Sequence, residues 1–167
     1  GQPLRATALV SDAQPTRNTL VAVQADLKRV GFELTLEQVP TNVATARRQT
    51  GDYQLLGSGY WHTNTPDGLF IVYDSRNITS ARFSGQNSSR LHDAKLDALL
   101  DRARTSHDPA ELGRLYSQAQ QRLTELVPAV PVYENHSIMA WHQDVKNVVF
   151  DTSHNMPLFT TVWLDRR

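Results

Sequence analysis

Six histidines, at positions 62, 92, 107, 136, 142 and 154, are the first residues to test for chemistry. No two stand four apart, the spacing that puts a metal-binding pair on one face of a helix. Gly57-Ser58-Gly59 opens like a dinucleotide fingerprint, but His62 stands where the third glycine is needed. There is no Gly-x-Ser-x-Gly elbow, no Walker loop and no cysteine, so nucleophile elbow, phosphate cradle and thiolate are all missing. Asp52, Asp67 and Asp74 could do acid–base work only with shifted pKa values, and capping or turn-making is the simpler role for each. No cofactor and no metal site is expected, and the residues supply no case for an enzyme.

One stretch is suited to recognition. Tyr60-Trp61-His62-Thr63-Asn64-Thr65-Pro66-Asp67-Gly68 sets two large aromatics beside hydrogen-bonding side chains. Small-ligand pockets combine apolar walls with a few orienting polar groups. Tyr60 and Trp61 would be the walls, and His62, Thr63 and Asn64 the orienting groups. A second reading stays open: the aromatics anchor the loop on the core, and Pro66-Asp67-Gly68 makes a turn.

The elements around this stretch read β-α-β-α-β. Residues 5–10 form a strand, and a helix follows with Leu20, Val23, Leu27 and Val30 at helical spacing. Gly31 stops it in the left-handed conformation. Phe32, Leu34 and Leu36 alternate with polar residues as a half-buried strand. A short helix over 41–49 leads to a third strand beginning at Tyr53. Such alternation favours a parallel sheet covered by helices, with ligands bound outside the carboxyl ends of the strands. The 60–64 stretch leaves that edge.

Further on, Asp93 caps a helix carrying Leu96, Leu99, Leu100 and Ala103. Asp108, Pro109 and Glu111 start another, with the stripe Leu112, Leu115, Tyr116, Ala119 and Leu123. These helices are expected to pack on the sheet. Residues 129–134 read as an edge or extended crossing between prolines, and 138–141, 147–150 and 158–164 complete the strands. Residues 61–90 show no clear period. At 167 residues the chain has the length of one domain, and 17 basic residues balance 17 acidic ones. No electrostatic footprint for nucleic acid results.

Several stretches, in order, resemble the extracellular solute-binding proteins of family 5, which includes oligopeptide-, dipeptide- and nickel-binding proteins. They are residues 23–34, the Gly51-Asp52-Tyr53, Gly57 and Pro66-Asp67 segment, residues 96–100, 115–120 and 127–133, and Val145 to Asp151. Asn147 stands where the family usually has glycine. The resemblance implies an α/β lobe of the type II periplasmic-binding kind, a mostly parallel sheet flanked by helices. Residues 1–167 would be a single domain, the C-terminal lobe of a larger two-lobe protein. It further implies capture of a small solute, peptide-like or other, outside the membrane and delivery to an ABC permease. An N-terminal lobe, a signal peptide and any lipid-anchored cysteine would lie upstream, with a periplasmic or other extracytoplasmic location. In peptide binders an acidic residue four before the loop proline pairs with the peptide ammonium, and here that position is His62. Arg47 and Arg48 fall near a position where some members place a cleft arginine, with a solvated helix face as the other reading of the pair. The competing classes are a hydrolase using His62 and Asp67, and a free-standing interaction domain.

Overall fold

The computed structural model describes residues 3–12, 14–57, 65–80, 82–133, 138–151 and 156–165. Its first part is a three-stranded parallel sheet. β1 (Leu4–Ser11) lies between β2 (Phe32–Val39) and β3 (Leu55–Leu56), joined through α1 (Gln14–Arg29) and α2 (Thr41–Thr50). β1 pairs with β2 along its whole length, from Leu4 opposite Phe32 to Ser11 opposite Val39. Ala8, Leu9 and Val10 at the middle of β1 are fully buried, as a central strand covered on both faces requires. Leu20, Val23 and Leu27 of α1 pack on this core, as their spacing predicts. Val30 does not: α1 ends at Arg29, and Val30 lies in the turn at 79% exposure, before Gly31 at φ 82°. Gln24 reaches from α1 to donate to the Leu34 carbonyl at 2.6 Å, tying helix to strand.

β3 is shorter than the sequence suggests, and a side chain explains why. The Thr7 amide, which a longer β3 would meet with a backbone carbonyl, donates instead to Gln54 Oε1 at 2.7 Å. Tyr53, expected to begin the strand, turns away, and its hydroxyl hydrogen-bonds the Ser88 carbonyl. Gly51 ends α2 at φ 79°, where a side chain would be strained in any surroundings.

The second part is helical. α3 (Gly68–Tyr73) lies inside the stretch without clear period, a 3-10 turn spans Ser75–Asn77, and α4 (Ala94–Thr105) and α5 (Pro109–Leu126) follow. Asp93 caps α4 by accepting from Leu96 N at 2.8 Å, and Asp108 caps α5 by accepting from Ala110 N and Glu111 N. Glu111 accepts from Ser106 Oγ at 2.8 Å, which closes the corner between the two helices. Leu96, Leu99, Leu100, Ala103, Leu115 and Ala119 form one buried cluster, with Leu69, Phe70 and Tyr73 of α3 packed against it. No strand residue belongs to it. α4 and α5 were expected to cover the sheet; they bury their stripes against each other and α3 instead, giving a second core.

Three polar side chains, Asp74, Thr79 and Asn87, are fully buried along the connection between α3 and α4. Asp74 accepts from Arg76 Nε at 2.8 Å, Arg76 Nη2 at 2.7 Å and the Arg76 amide at 2.9 Å. Burial alone would raise the Asp74 carboxyl; the hydrogen bonds and charge of Arg76 outweigh it and hold the carboxyl below its ordinary value. This has a sign that can be tested. With a depressed folded value, the contribution of Asp74 is complete above the unfolded aspartate value of about 4 and is lost on acidification through the lower folded value. Arg76→Met leaves a buried carboxylate without its cation, so burial then dominates and the folded value rises. The variant should therefore gain stability, not lose it, as pH falls from 7 to 5 in urea melts. A midpoint that falls on acidification in both proteins would contradict this.

After α5 the described residues up to Asp144 belong to no helix or strand. Val127 adopts φ 47° at the helix end. Described residues of 129–134 and all of 138–141 form no strand, contrary to expectation. Two short antiparallel pairs follow, β4 (Val145–Lys146) with β7 (Trp163–Leu164) and β5 (Val149–Asp151) with β6 (Met156–Leu158). Asn147 holds φ 60°, a conformation that asparagine tolerates well in place of the expected glycine.

Candidate functional site

The three parallel strands end on one edge. There Ser11 leads into Asp12, Val39 into Pro40 and Thr41, and Leu56 into Gly57. Thr41 Oγ1 donates to Asp12 Oδ1 at 2.6 Å, linking the ends of β1 and β2. The Gly57 amide donates to the Leu9 carbonyl at 2.9 Å and, among the described residues, is the last sheet anchor before the candidate loop. A Cβ on Gly57 would lie 2.5 Å from Leu20 Cδ1, so α1 approaches β3 closely at this point. Tyr60, Trp61, His62, Thr63 and Asn64 lie outside the described residues.

The chain is described again from Thr65, on the other core. The amides of Gly68, Leu69 and Phe70 donate to the carbonyls of Thr65, Pro66 and Asp67 at 3.0–3.1 Å, so these three residues start α3. The Asp67 carboxylate does not cap this helix; its Oδ1 lies 3.0 Å from Arg104 Nε of α4. The candidate loop thus leaves the sheet core and arrives on the helical core.

Beside the arrival point is a groove of about 480 Å³ between Thr65–Asp67 and the Leu112, Gly113 and Tyr116 face of α5. The Tyr116 hydroxyl is pushed up, by burial first and then by the Asp67 charge, with Arg104 opposing. A second, more polar groove of about 470 Å³ lies along β1 and α2, with Arg47, Tyr53 and Gln54 in its wall. Arg47 pairs with Glu37 at 2.6 Å and Asp52 at 2.9 Å, which occupies its guanidinium. Arg48 reaches Ser88 Oγ at 3.5 Å. Both arginines are straps within the fold. Among the described residues no three His, Asp or Glu side chains gather to hold a metal ion, and no helix is long and apolar enough to cross a membrane.

Sequence reasoning missed Arg104 and Gln54. Arg104 sits in the last turn of α4, where a basic residue suits the helix dipole and draws no notice. Gln54 looked like an ordinary strand residue.

No family model matches the sequence. The chain is 33% identical over 111 residues to di/tripeptide-binding protein 4 of Pseudomonas aeruginosa, covering 66% of this chain and 20% of that protein. It is 29% identical over 139 residues to the probable ABC transporter periplasmic-binding protein SapA of Escherichia coli, covering 82% of this chain and 25% of that protein. It therefore spans about a fifth to a quarter of the curated relatives it matches. In fold it is similar to the oligopeptide-binding protein AppA of Bacillus subtilis, solved with a nonapeptide, at TM-score 0.81 and 19% identity, over 98% of this chain and 32% of that one. Sequence similarity across most of the chain, and a shared fold across nearly all of it, make this chain a member of the extracellular solute-binding proteins of family 5.

Proposed function

We propose that this chain is the C-terminal lobe of a two-lobe substrate-binding component of an ABC importer, which captures a peptide or similar small solute in the periplasm and delivers it to a membrane permease. The observation that carries the reading is the agreement of two independent comparisons, since relatives in sequence and a solved neighbour in fold are named for peptide binding. The work is recognition without catalysis: two lobes close by hinge motion on the ligand, and the permease reads the closed form.

The apolar surface supports a partner lobe. Val130, Val132, Tyr133, Ile138, Trp141, Phe159, Trp163 and Leu164 are all exposed, Ile138 at 92%. Two-stranded pairs like β4–β7 and β5–β6 are marginal alone. So many exposed apolar side chains after α5 support a reading in which another part of the protein covers them.

In this reading residues 60–64 line the cleft, with Trp61 as a wall, His62, Thr63 and Asn64 orienting the guest, and Asp67 shaping the turn. Trp61→Ala in the full-length protein should weaken ligand binding roughly tenfold or more while leaving the urea midpoint near that of the parent. Calorimetric titration beside a urea melt checks both. A core tryptophan would behave oppositely, with affinity kept and about 3–5 kcal/mol of stability lost.

A further inference from the structure

The sheet core and the helical core share no buried residue. Among the described residues, a polar contact joins them where the turn after α2 meets the connection between α3 and α4. At Ser88, the Tyr53 hydroxyl donates to the backbone carbonyl, and Arg48 Nη1 lies 3.5 Å from the side-chain Oγ. Arg90 crosses in the other direction. Its side chain lies on the bare Gly51 backbone, so close that a Cβ there would stand 2.7 Å from Arg90 Nε. Its Nη1 donates to the Thr79 carbonyl at 2.9 Å, which holds the guanidinium in place. Arg90 also keeps φ 55°, a left-handed backbone that is uncommon outside glycine. Such strain persists only where the surroundings over-determine it. The Tyr53 hydroxyl is pushed up by burial, with the Arg90 and Arg48 charges opposing, as fits three side chains gathered at one place. Asn87, the neighbour of Ser88, ties the same connection to Tyr73, Asp74 and Leu91 on the helical side.

We propose that this contact is a clasp that makes the two cores one cooperative unit: Tyr53 and Arg90 lock the sheet core onto the 79–91 connection, and Asn87 passes the lock on to α3 and α4. In the two-lobe reading, closure on a ligand moves the lobe as one body, and the clasp is what makes it one. The clasp itself rests on no part of that reading, because its residues belong to the fold and none has to touch a ligand.

Amide hydrogen exchange by mass spectrometry, followed on the full-length protein through a urea series, tests it without any ligand. Segments of one cooperative unit open together, and uncoupled segments open separately. In the parent, residues 4–10 of β1 and 96–103 of α4 should lose protection at the same urea concentration. Tyr53→Phe with Arg90→Gly removes both side-chain contacts, yet keeps the aromatic ring and relieves the left-handed backbone. This double variant should separate the two segments, with changes in protection at least tenfold apart at a urea concentration where those of the parent agree within twofold. Each single change should open a smaller gap. Arg102→Gln, which breaks the pair with Glu111 between α4 and α5, should open none. A parent whose two segments already open separately overturns the proposal. A double variant in which both lose protection together overturns it too, because the two residues would then serve only general stability. Higher protection throughout in Arg90→Gly would also overturn it, since Arg90 would then contribute strain and no clasp. None of these outcomes depends on peptide capture, so the clasp and the functional reading stand or fall separately.

Discussion

Asn87→Ala is expected to destabilise the protein by about 3–4 kcal/mol, read as a fall in the urea midpoint. Asn87 is fully buried, and the two hydrogens of its amide nitrogen are shared among the carbonyls of Tyr73, Asp74 and Leu91, which lie at 3.0–3.2 Å. Its Oδ1 accepts from Ser89 Oγ and the Leu91 amide. One side chain thus satisfies the end of α3, the turn after it and the approach to α4. Alanine removes all of these bonds and strands several backbone groups away from water. Two buried groups left unpaired at about 1–3 kcal/mol each account for the estimate. Asn87→Asp should not rescue, because a carboxylate has no N–H to give and would face three carbonyl oxygens. A midpoint unchanged in Asn87→Ala would mean that the 74–91 connection is not held in this way.

That connection also marks the boundary of what the sequence made legible. The caps were readable because each is a local event: Asp93 and Asp108 lie just before apolar periodicity, and Gly31 just after it. The stripes of α4 and α5 were readable too, but not what they would pack against. Periodicity reports that a face is buried and says nothing of its partner, so a second core built with α3 went unseen. The length of β3 depended on Gln54 reaching Thr7, a contact across 47 residues that no local pattern encodes. Asp74, Asn87 and Arg76 lay in a stretch rich in turn-forming types, where a buried polar hub and a surface loop look alike. For the site, the carboxyl end of β3, from which the chain runs on beyond Gly57, was legible from the alternation of strands and helices. The contact of Asp67 with Arg104 was not, since the two are 37 positions apart in sequence.

The isolated 167-residue chain should bind the ligand roughly a thousandfold more weakly than the full-length protein. In the proposed two-lobe reading this chain supplies one wall of a cleft, since the candidate loop departs from one edge of one sheet. Tight small-molecule sites enclose about 70–90% of the ligand surface, and a single wall cannot. Losing ~4 kcal/mol of contacts already accounts for about three decades in affinity. Calorimetry on both proteins under one buffer gives the ratio directly. Equal affinities would mean that the whole site lies within these residues and that no second lobe clamps the guest.

The central claim is that the full-length protein captures small peptide-like solutes and holds them without chemical change. Native mass spectrometry of that protein with a mixed di- and tripeptide library tests it most directly. The account predicts one-to-one complexes with a subset of the library, each peptide released intact on unfolding. Hydrolysed peptides, or no complex with any member, would contradict it.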